Sequence, residues 1–407
     1  MIEPNIHSVL TIGMVDVTSL ATSARRAGYN VYAVDYYGDQ DLEHTCIVNQ
    51  SLMKQGKAKF STKIFNNFDT KPLLQLARDL QRNNVIDVSL LSSGLDDSPE
   101  TLYDLNDIVP ILGNTPESFL KVRNRSDFFT ELEQLQIPHP RTAIAQDLKK
   151  AKSMAKDLGF PLLIKPMKGF GGVGIRMASN LKELEKGFKT IGFLSSDLLL
   201  QEFIQGMHAS ASIVSIPGKA VTLAVSEQLL GLSEVGQQET FGYCGNIVPL
   251  SAPAKIIDKC KDVAERVVTH FNLVGSNGVD LVVSNEGTPY VIEVNPRFQG
   301  TIECIEQVLG LNIVDAHVKA CIGEELPTIS HDIQKFCMRL ILFAKQRSLM
   351  PDLSVYRECR DVPSLGSIVE KGEPLCSIIV EDAGRSTMLD KAKQISATIY
   401  SSLSSIE

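Results

Sequence analysis

From residue 8 to residue 112 the apolar positions switch period in a regular way. Residues 8–13 and 31–35 are short apolar runs, 18–27 and 71–81 repeat apolar positions at helical spacing, and 85–91 and 110–112 return to buried-strand runs. Strands alternating with helices predict an open parallel sheet, whose ligands bind beyond the carboxyl ends of its strands. The segments at those ends are 13–18, 35–39 and 92–97. Residues 114–136 read as helical, with Asn114 or Thr115 capping one helix and Asn124 or Ser126 another, until Pro138 and Pro140 end the run. A helix at 151–158 closes on Gly159, and Pro161 opens a strand at 162–166.

Continuous apolar runs then predict strands at 198–204, 207–217 and 221–227. Residues 231–245, rich in Gly, Gln and Ser with Phe241 and Tyr243 inside, read as one long loop, and loops of that length usually serve function or are disordered. The stripe Ile256, Cys260, Val263, Val267 and Phe271 marks 254–271 as an amphipathic helix packed on a core. A helix at 301–309, a strand at 336–345 and a small β+α tail (366–370, 372–380 and a helix at 385–400) complete the pattern, with no internal repeat or low-complexity segment.

The polar positions in two of these stretches carry chemistry. Residues 278–301 read as a β-hairpin around the turn 285–288. A turn centred on Glu286 and Gly287 sets Asp280 opposite Glu293, with Cβ atoms about 4.5–5.5 Å apart. Asn295, two residues on, shares Glu293's face. Facing carboxylates repel unless a proton or cation lies between them, and an Asp/Glu/Asn oxygen set suits Mg²⁺. The other reading is an acidic pair on a solvated strand face. The second stretch, Lys168 to Gly174, has four glycines and runs on into a strand, and only then does Asn180 with Glu183 open a helix as a capping box. It lacks the Lys-Ser/Thr of a P-loop, so it reads either as a flap whose N–H groups cover phosphates or as a tight hairpin turn. Gly13-Met14-Val15-Asp16 lacks the later glycines of a dinucleotide fingerprint, which disfavours NAD. The N–H groups at the start of the 301–309 helix favour an anion.

Length and charge narrow the classes. At 407 residues the chain predicts two to four domains. Hydrophobic content of 43% with 22% charged residues is that of a globular protein, and a net charge of −8 without a basic block argues against a nucleic-acid partner. No apolar run reaches a membrane span and the N-terminus lacks a signal h-region. Eight scattered cysteines without a C-x-x-C pair read as thiols of a reducing cytoplasm.

In order, the chain carries LLIKPMKGFGGVGI, LLLQEFIQG and GVDLVV…YVIEVNPR. This series resembles the ATP-grasp superfamily, which includes biotin carboxylase, carbamoyl phosphate synthetase and D-alanine–D-alanine ligase. The resemblance spans about residues 1–330, and the tail SLGSIVEKGEPLCSIIVED is similar to that of the biotin carboxylase branch; a group of ATP-dependent carboligases fits the pattern best. It implies an α/β and α+β fold: a parallel-sheet domain at 1–113, a two-lobed ATP-grasp module at 114–330 with its flap lobe at about 150–206, and a β+α subdomain at 331–407. It implies ATP with Mg²⁺, or Mn²⁺ in its place. Lys165 matches the lysine at the α-phosphate and adenine, and Lys168, Gly169, Gly171 and Gly172 match the phosphate flap. Glu202, Phe203 and Ile204 match the adenine strand, and Arg125 a basic residue reaching the phosphates. Asp280, Glu293 and Asn295 match the metal ligands, and Arg297 the arginine that steadies an acyl phosphate. Two positions depart from the pattern. His208 stands where a ribose-binding carboxylate is expected, and Gly278 where an arginine often precedes the first metal acid, leaving Arg297, Lys168 or Arg176 to neutralise the transferred phosphate. The implied reaction is activation of a small-molecule carboxylate as an acyl phosphate, with Lys165 and Arg297 in the catalytic set, for attack by an amine; Glu303 or Glu306 is placed to meet a substrate ammonium. Carboxylation with bicarbonate and a nucleotide-binding regulatory subunit are the alternatives. A homodimer is compatible with the resemblance, and neither nucleic acid nor membrane is implied.

Overall fold

The computed structural model describes residues 6–15, 17–53, 69–169, 171–192, 197–329 and 333–406. Asp16 and Phe170, which fall within two of the motifs above, lie outside the described residues. Four parallel strands form the first sheet, in the order Val48–Ser51, Asn30–Asp35, Ser8–Ile12 and Val88–Leu91. Ser8–Ile12 and Val88–Leu91 are buried along their whole length, which is why they read as unbroken apolar runs. The helices Val17–Arg26 and Lys71–Asn83 cover this sheet where the apolar spacing places them. The helices Gln40–Thr45 and Pro99–Ile108 and the strand Val48–Ser51 are additions. Gln40–Thr45 buries only Leu42, too little to leave a periodic signal. The strand expected at 110–112 reduces to one parallel bridge between Ser89 and Ile111.

The second sheet, over the span expected for the flap lobe, is antiparallel in the order Thr142–Ala145, Leu198–Glu202, Leu162–Pro166 and Arg176–Ala178. Its helices Leu148–Leu158 and Leu181–Ile191 start at Asp147 and Asn180, whose side chains accept the first free N–H groups of each helix. Glu183 reaches back past the cap and accepts from Ser179 N at 2.9 Å, one residue before the N–H of a true capping box.

The third sheet has eight strands: Pro289–Asn295, Gly275–Ser284, Gly206–Ile216, Lys219–Leu230, Tyr243–Val248, Phe336–Phe343, Pro374–Asp382 and Cys359–Arg360, in that order. The strands of the tail therefore extend the same sheet that holds the hairpin. Residues 231–245 are not one loop, because Tyr243–Val248 is a strand of this sheet. Its glycines hide it: a Cβ at Gly245 would lie 1.9 Å from Arg339 O on the neighbouring strand. The helix Ala254–His270 packs Cys260, Val263 and Val267 on the face opposite the cavity described below. The helix Ile313–Cys321, also unforeseen, buries His317. His317 Nδ1 accepts from Ser276 N at 2.8 Å and Nε2 lies 3.0 Å from Leu112 O, which fixes the neutral tautomer with its proton on Nε2. Burial pushes its pKa down to about 4.

The hairpin pairs Asp280 with Glu293. The route differs from the symmetric turn: near the turn Val282 pairs with Tyr290 and Leu281 with Val291, one residue tighter than expected. A bulge at Ile292 restores the expected register from Asp280 outwards.

Candidate active site

The two acids of the hairpin sit in unequal surroundings. Asp280 Oδ1 accepts from Ser210 Oγ at 2.7 Å and Gln228 Nε2 at 2.9 Å, while Oδ2 takes a longer bond from Asn295 Nδ2 at 3.2 Å. Burial and the neighbouring Glu293 charge push Asp280 up to about 6. Burial acts the same way on Glu293, but Arg123, Arg125 and Lys165 outweigh it and draw Glu293 down to about 2. Arg125 approaches Glu293 at 3.1 Å and Arg123 at 3.6 Å. A carboxylate pair in which one acid resists ionisation fits a divalent cation, which would relieve that repulsion. Among the described residues no three His, Cys, Asp or Glu side chains gather as ligands, so the oxygen set is these two acids with Asn295. Asn295 turns its amide nitrogen to Asp280 and its oxygen to Arg123 and Arg297, at 3.0 and 3.3 Å.

These acids open into a cavity of about 620 Å³ bounded by the parallel sheet, the antiparallel four-stranded sheet and the eight-stranded sheet. Lys165, Gly169, Gly171, Gly172, Glu202, Phe203, Ile204 and His208 line one end, with Arg125 and Arg297 beside the acids. Lys165 Nζ donates to Gln201 Oε1 at 2.6 Å, and burial, only partly countered by Glu293 and Asp280, lowers its pKa to about 8. Arg297 is fixed by Asp96 at 2.8 Å and by Phe298 O. Asp96 falls to about 2 because Arg297 and Arg123 overcome its burial. Glu202 lines the cavity while its carboxylate pairs with Arg141 at 3.1 Å. His208 is half-buried on the strand Gly206–Ile216, and burial together with Lys165 lowers its pKa. The strand-end residues Val15, Asp35, Asp39 and Ser93 line the far end, as do Glu239, Phe241 and Tyr243 beyond Lys219–Leu230.

Three expectations change. Lys168 is exposed and does not line the cavity. Arg176 pairs with Glu239 and Arg297 with Asp96, so neither guanidinium stands unengaged. Glu303 and Glu306 do not reach the cavity: the helix Ile302–Leu309 buries both, Glu303 against Arg360 at 2.6 Å and Glu306 against Arg26, Ser23 and Ile313 N. At Gly278 the Gln299 amide fills the space beside the backbone, so a Cβ there, 2.3 Å from Gln299 Cδ, would have to displace that amide. Sequence reasoning missed Arg123, whose side chain is 9% exposed and which meets Asp96 at 3.2 Å, Glu293 and Asn295. It missed Arg339 as well, a buried cavity residue bonded to Asp361 at 2.6 Å and to Gly300 O at 2.9 Å. A buried charge leaves no periodic trace, although Arg123 one residue from the capping Asn124 was a local hint.

The family model for the ATP-grasp domain matches residues 122–301. Those residues form an ATP-grasp domain. The matched span runs from Val122 to Thr301 and so contains Arg123, the glycine-rich stretch and both hairpin acids. Outside the ATP-grasp domain the likeness continues. An uncharacterized protein of Methanocaldococcus jannaschii is 23% identical over 372 residues, 90% of this chain and 87% of its own length. The C-terminal section of the carbamoyl phosphate synthase large chain of Methanopyrus kandleri is 25% identical over 224 residues, 54% of this chain; the match spans 41% of that relative. In fold, biotin carboxylase from Campylobacter jejuni, solved as a β-γ-ATP complex, superposes with a TM-score of 0.75 at 16% identity, over 97% of this chain and 91% of that one. The L-amino acid ligase from Bacillus licheniformis does so with 0.69 at 14% identity, over 98% of both. The parallel sheet, the ATP-grasp domain and the tail thus share one architecture with these enzymes. Among the described residues no helix is long and apolar enough to cross a membrane.

Proposed function

We propose that this protein is an ATP- and Mg²⁺-dependent ligase that activates a small-molecule carboxylate as an acyl phosphate for attack by an amine. The observation that carries the reading is that the flap glycines, Lys165, Arg297 and the facing pair Asp280 and Glu293 line one cavity. Asp280 and Glu293, with Asn295 once its amide turns, would hold Mg²⁺, which when bound offsets charge on the nucleotide phosphates. In the proposed reaction a substrate carboxylate oxygen attacks the γ-phosphorus and ADP leaves. An amine nitrogen then attacks the acyl carbon, phosphate leaves and the amine loses a proton. The protein's part is placement and charge: Lys165 presents an ammonium to the phosphates, and Arg297, oriented by Asp96, lies beside the acids where the acyl phosphate forms. Glu202, Phe203 and Ile204 would border adenine and His208 the ribose. The acid and amine enter from the parallel-sheet end, past Asp35, Asp39 and Ser93.

ADP and phosphate release, measured over mixtures of small acids and amines with Mg-ATP, tests this reading. Release that requires both an acid and an amine supports it. The likeness to biotin carboxylase over the full length favours one other reaction, carboxylation with bicarbonate. Release that instead requires bicarbonate and a carrier would replace the ligase reading.

A further inference from the structure

In this structure the described residues of the glycine-rich stretch are held from two sides. On the inner side Tyr243 N donates to Gly171 O at 2.9 Å, Gly172 lies against Phe241 O, and Arg176 pairs with Glu239. On the outer side Gly169 N donates to Asp97 Oδ2 at 2.9 Å, a bond between the flap and the loop that follows the parallel-sheet strand Val88–Leu91. The other oxygen of Asp97 lies 3.7 Å from Arg123 Nε. That is an ion pair too long to be a hydrogen bond, and Arg123 Nε is buried without an acceptor. The same guanidinium meets Glu293 at 3.6 Å and Asn295 Oδ1 at 3.0 Å. Asp97 itself does not line the cavity, whereas Gly169, Gly171 and Gly172 do. Its carboxylate therefore holds the flap from outside and does not occupy the space a phosphate would take.

The geometry points to Asp97 as a positioning residue of the ATP-binding site: a clasp from the N-terminal domain that keeps the flap closed and ties that closure, through Arg123, to Glu293. This rests on the reading of the cavity as an ATP site. Two consequences follow from the contacts. The Gly169 N–H is spent on Asp97 while the flap is shut, so phosphate contacts fall to the backbone beyond it. A change of charge at Glu293 reaches the flap through one shared guanidinium, without movement of the sheet.

Two variants separate the two halves of the clasp. Asp97→Ala removes both the acceptor for Gly169 and the partner of Arg123. Asp97→Asn is isosteric, keeps the acceptor and removes the charge. In the nucleotide-free protein, hydrogen–deuterium exchange of peptides covering Gly169 should rise up to about tenfold in Asp97→Ala, the scale of one charge-assisted hydrogen bond at an exposed site. With Mg²⁺ and a fluorescent ATP analogue, the off-rate should rise about tenfold in Asp97→Ala and about threefold in Asp97→Asn, and the ATP KM should rise more than kcat falls. Wild-type exchange in Asp97→Ala overturns the clasp. A wild-type off-rate in Asp97→Asn overturns the link through Arg123, and it decides that link even if the alanine variant does not fold. Tighter binding in Asp97→Ala would make Asp97 a competitor of phosphate and also overturns the proposal. If the wild-type protein binds no nucleotide, the ATP reading fails, while the exchange result still decides the clasp.

Discussion

Gly171 and Gly172 are adjacent, both left-handed and both in the flap, yet alanine should act very differently at each. Their φ angles are +63° and +73°, so a side chain at either costs about 1–2 kcal/mol of backbone strain. A Cβ at Gly171 meets nothing within 4 Å, and the strain is the whole cost. A Cβ at Gly172 would lie 1.8 Å from Phe241 O and 2.8 Å from Phe241 C, where ordinary contact begins near 3.4 Å. Phe241 is not free to retreat, because Gly242 N bonds to Glu239 O and Gly231 N to Gly242 O on either side of it. The flap must move outward instead, and that breaks the bond from Tyr243 N to Gly171 O, worth about 1 kcal/mol. Gly172→Ala should thus disfavour the closed flap by about 1 kcal/mol more than Gly171→Ala, roughly a fivefold difference in closed population. Off-rates of a fluorescent Mg-ATP analogue from the two variants measure this. Equal off-rates would refute the reasoning, since they would mean that Phe241 yields and the flap does not.

Glu293→Gln should abolish turnover and leave the thermal midpoint within a few degrees, because Arg123 keeps Asp96 at 3.2 Å and Asp280 loses a like charge; retained activity would remove Glu293 from the site. His317 gives a pH signature of folding. Its pKa is near 4 when folded and about 6.5 when unfolded, so only the unfolded chain takes up a proton between these values. Stability is therefore present above pH about 6.5 and lost as pH falls towards 4, by up to roughly 3 kcal/mol. Urea unfolding across that range should show this loss in the wild type and not in His317→Gln, and parallel curves would contradict a His317 held neutral by burial. If His208 accepts a ribose hydroxyl, ATP affinity should fall as pH drops below about 6.5, with its midpoint lowered by burial and Lys165, and His208→Glu should remove the effect; parallel titrations would place His208 away from the nucleotide.

Local chemistry explains what could be read in advance. Helix caps depend on residues a few positions apart: Asn180 was legible outright, and Thr115 and Asn124 were each one of two candidates, beside Asn114 and Ser126. The pairing of Asp280 with Glu293 was visible too, although the bulge at Ile292 and the tighter turn shift the register in opposite senses and so return the same partner. Arg123 and Asp97 could not be read, because their roles come from bonds that reach 172 and 72 residues along the chain, respectively. Glu303 and Glu306 misled for a related reason. Acids in an early helical turn suit the dipole, and only the packing of Arg360 and Arg26 against them shows that they are buried structural partners. The strand Tyr243–Val248 was hidden by the glycines that allow its close approach to Phe336–Phe343.

The transfer of oxygen from acid to phosphate tests the central claim most directly. An acid that supports ADP release is labelled with oxygen-18 in its carboxylate and turned over with Mg-ATP and its amine. If the carboxylate attacks the γ-phosphorus, each phosphate released carries one labelled oxygen from the acid, and Glu293→Gln releases none. Unlabelled phosphate, formed at the rate of ADP, would contradict the acyl phosphate and with it the assignment of this cavity to carboxylate activation.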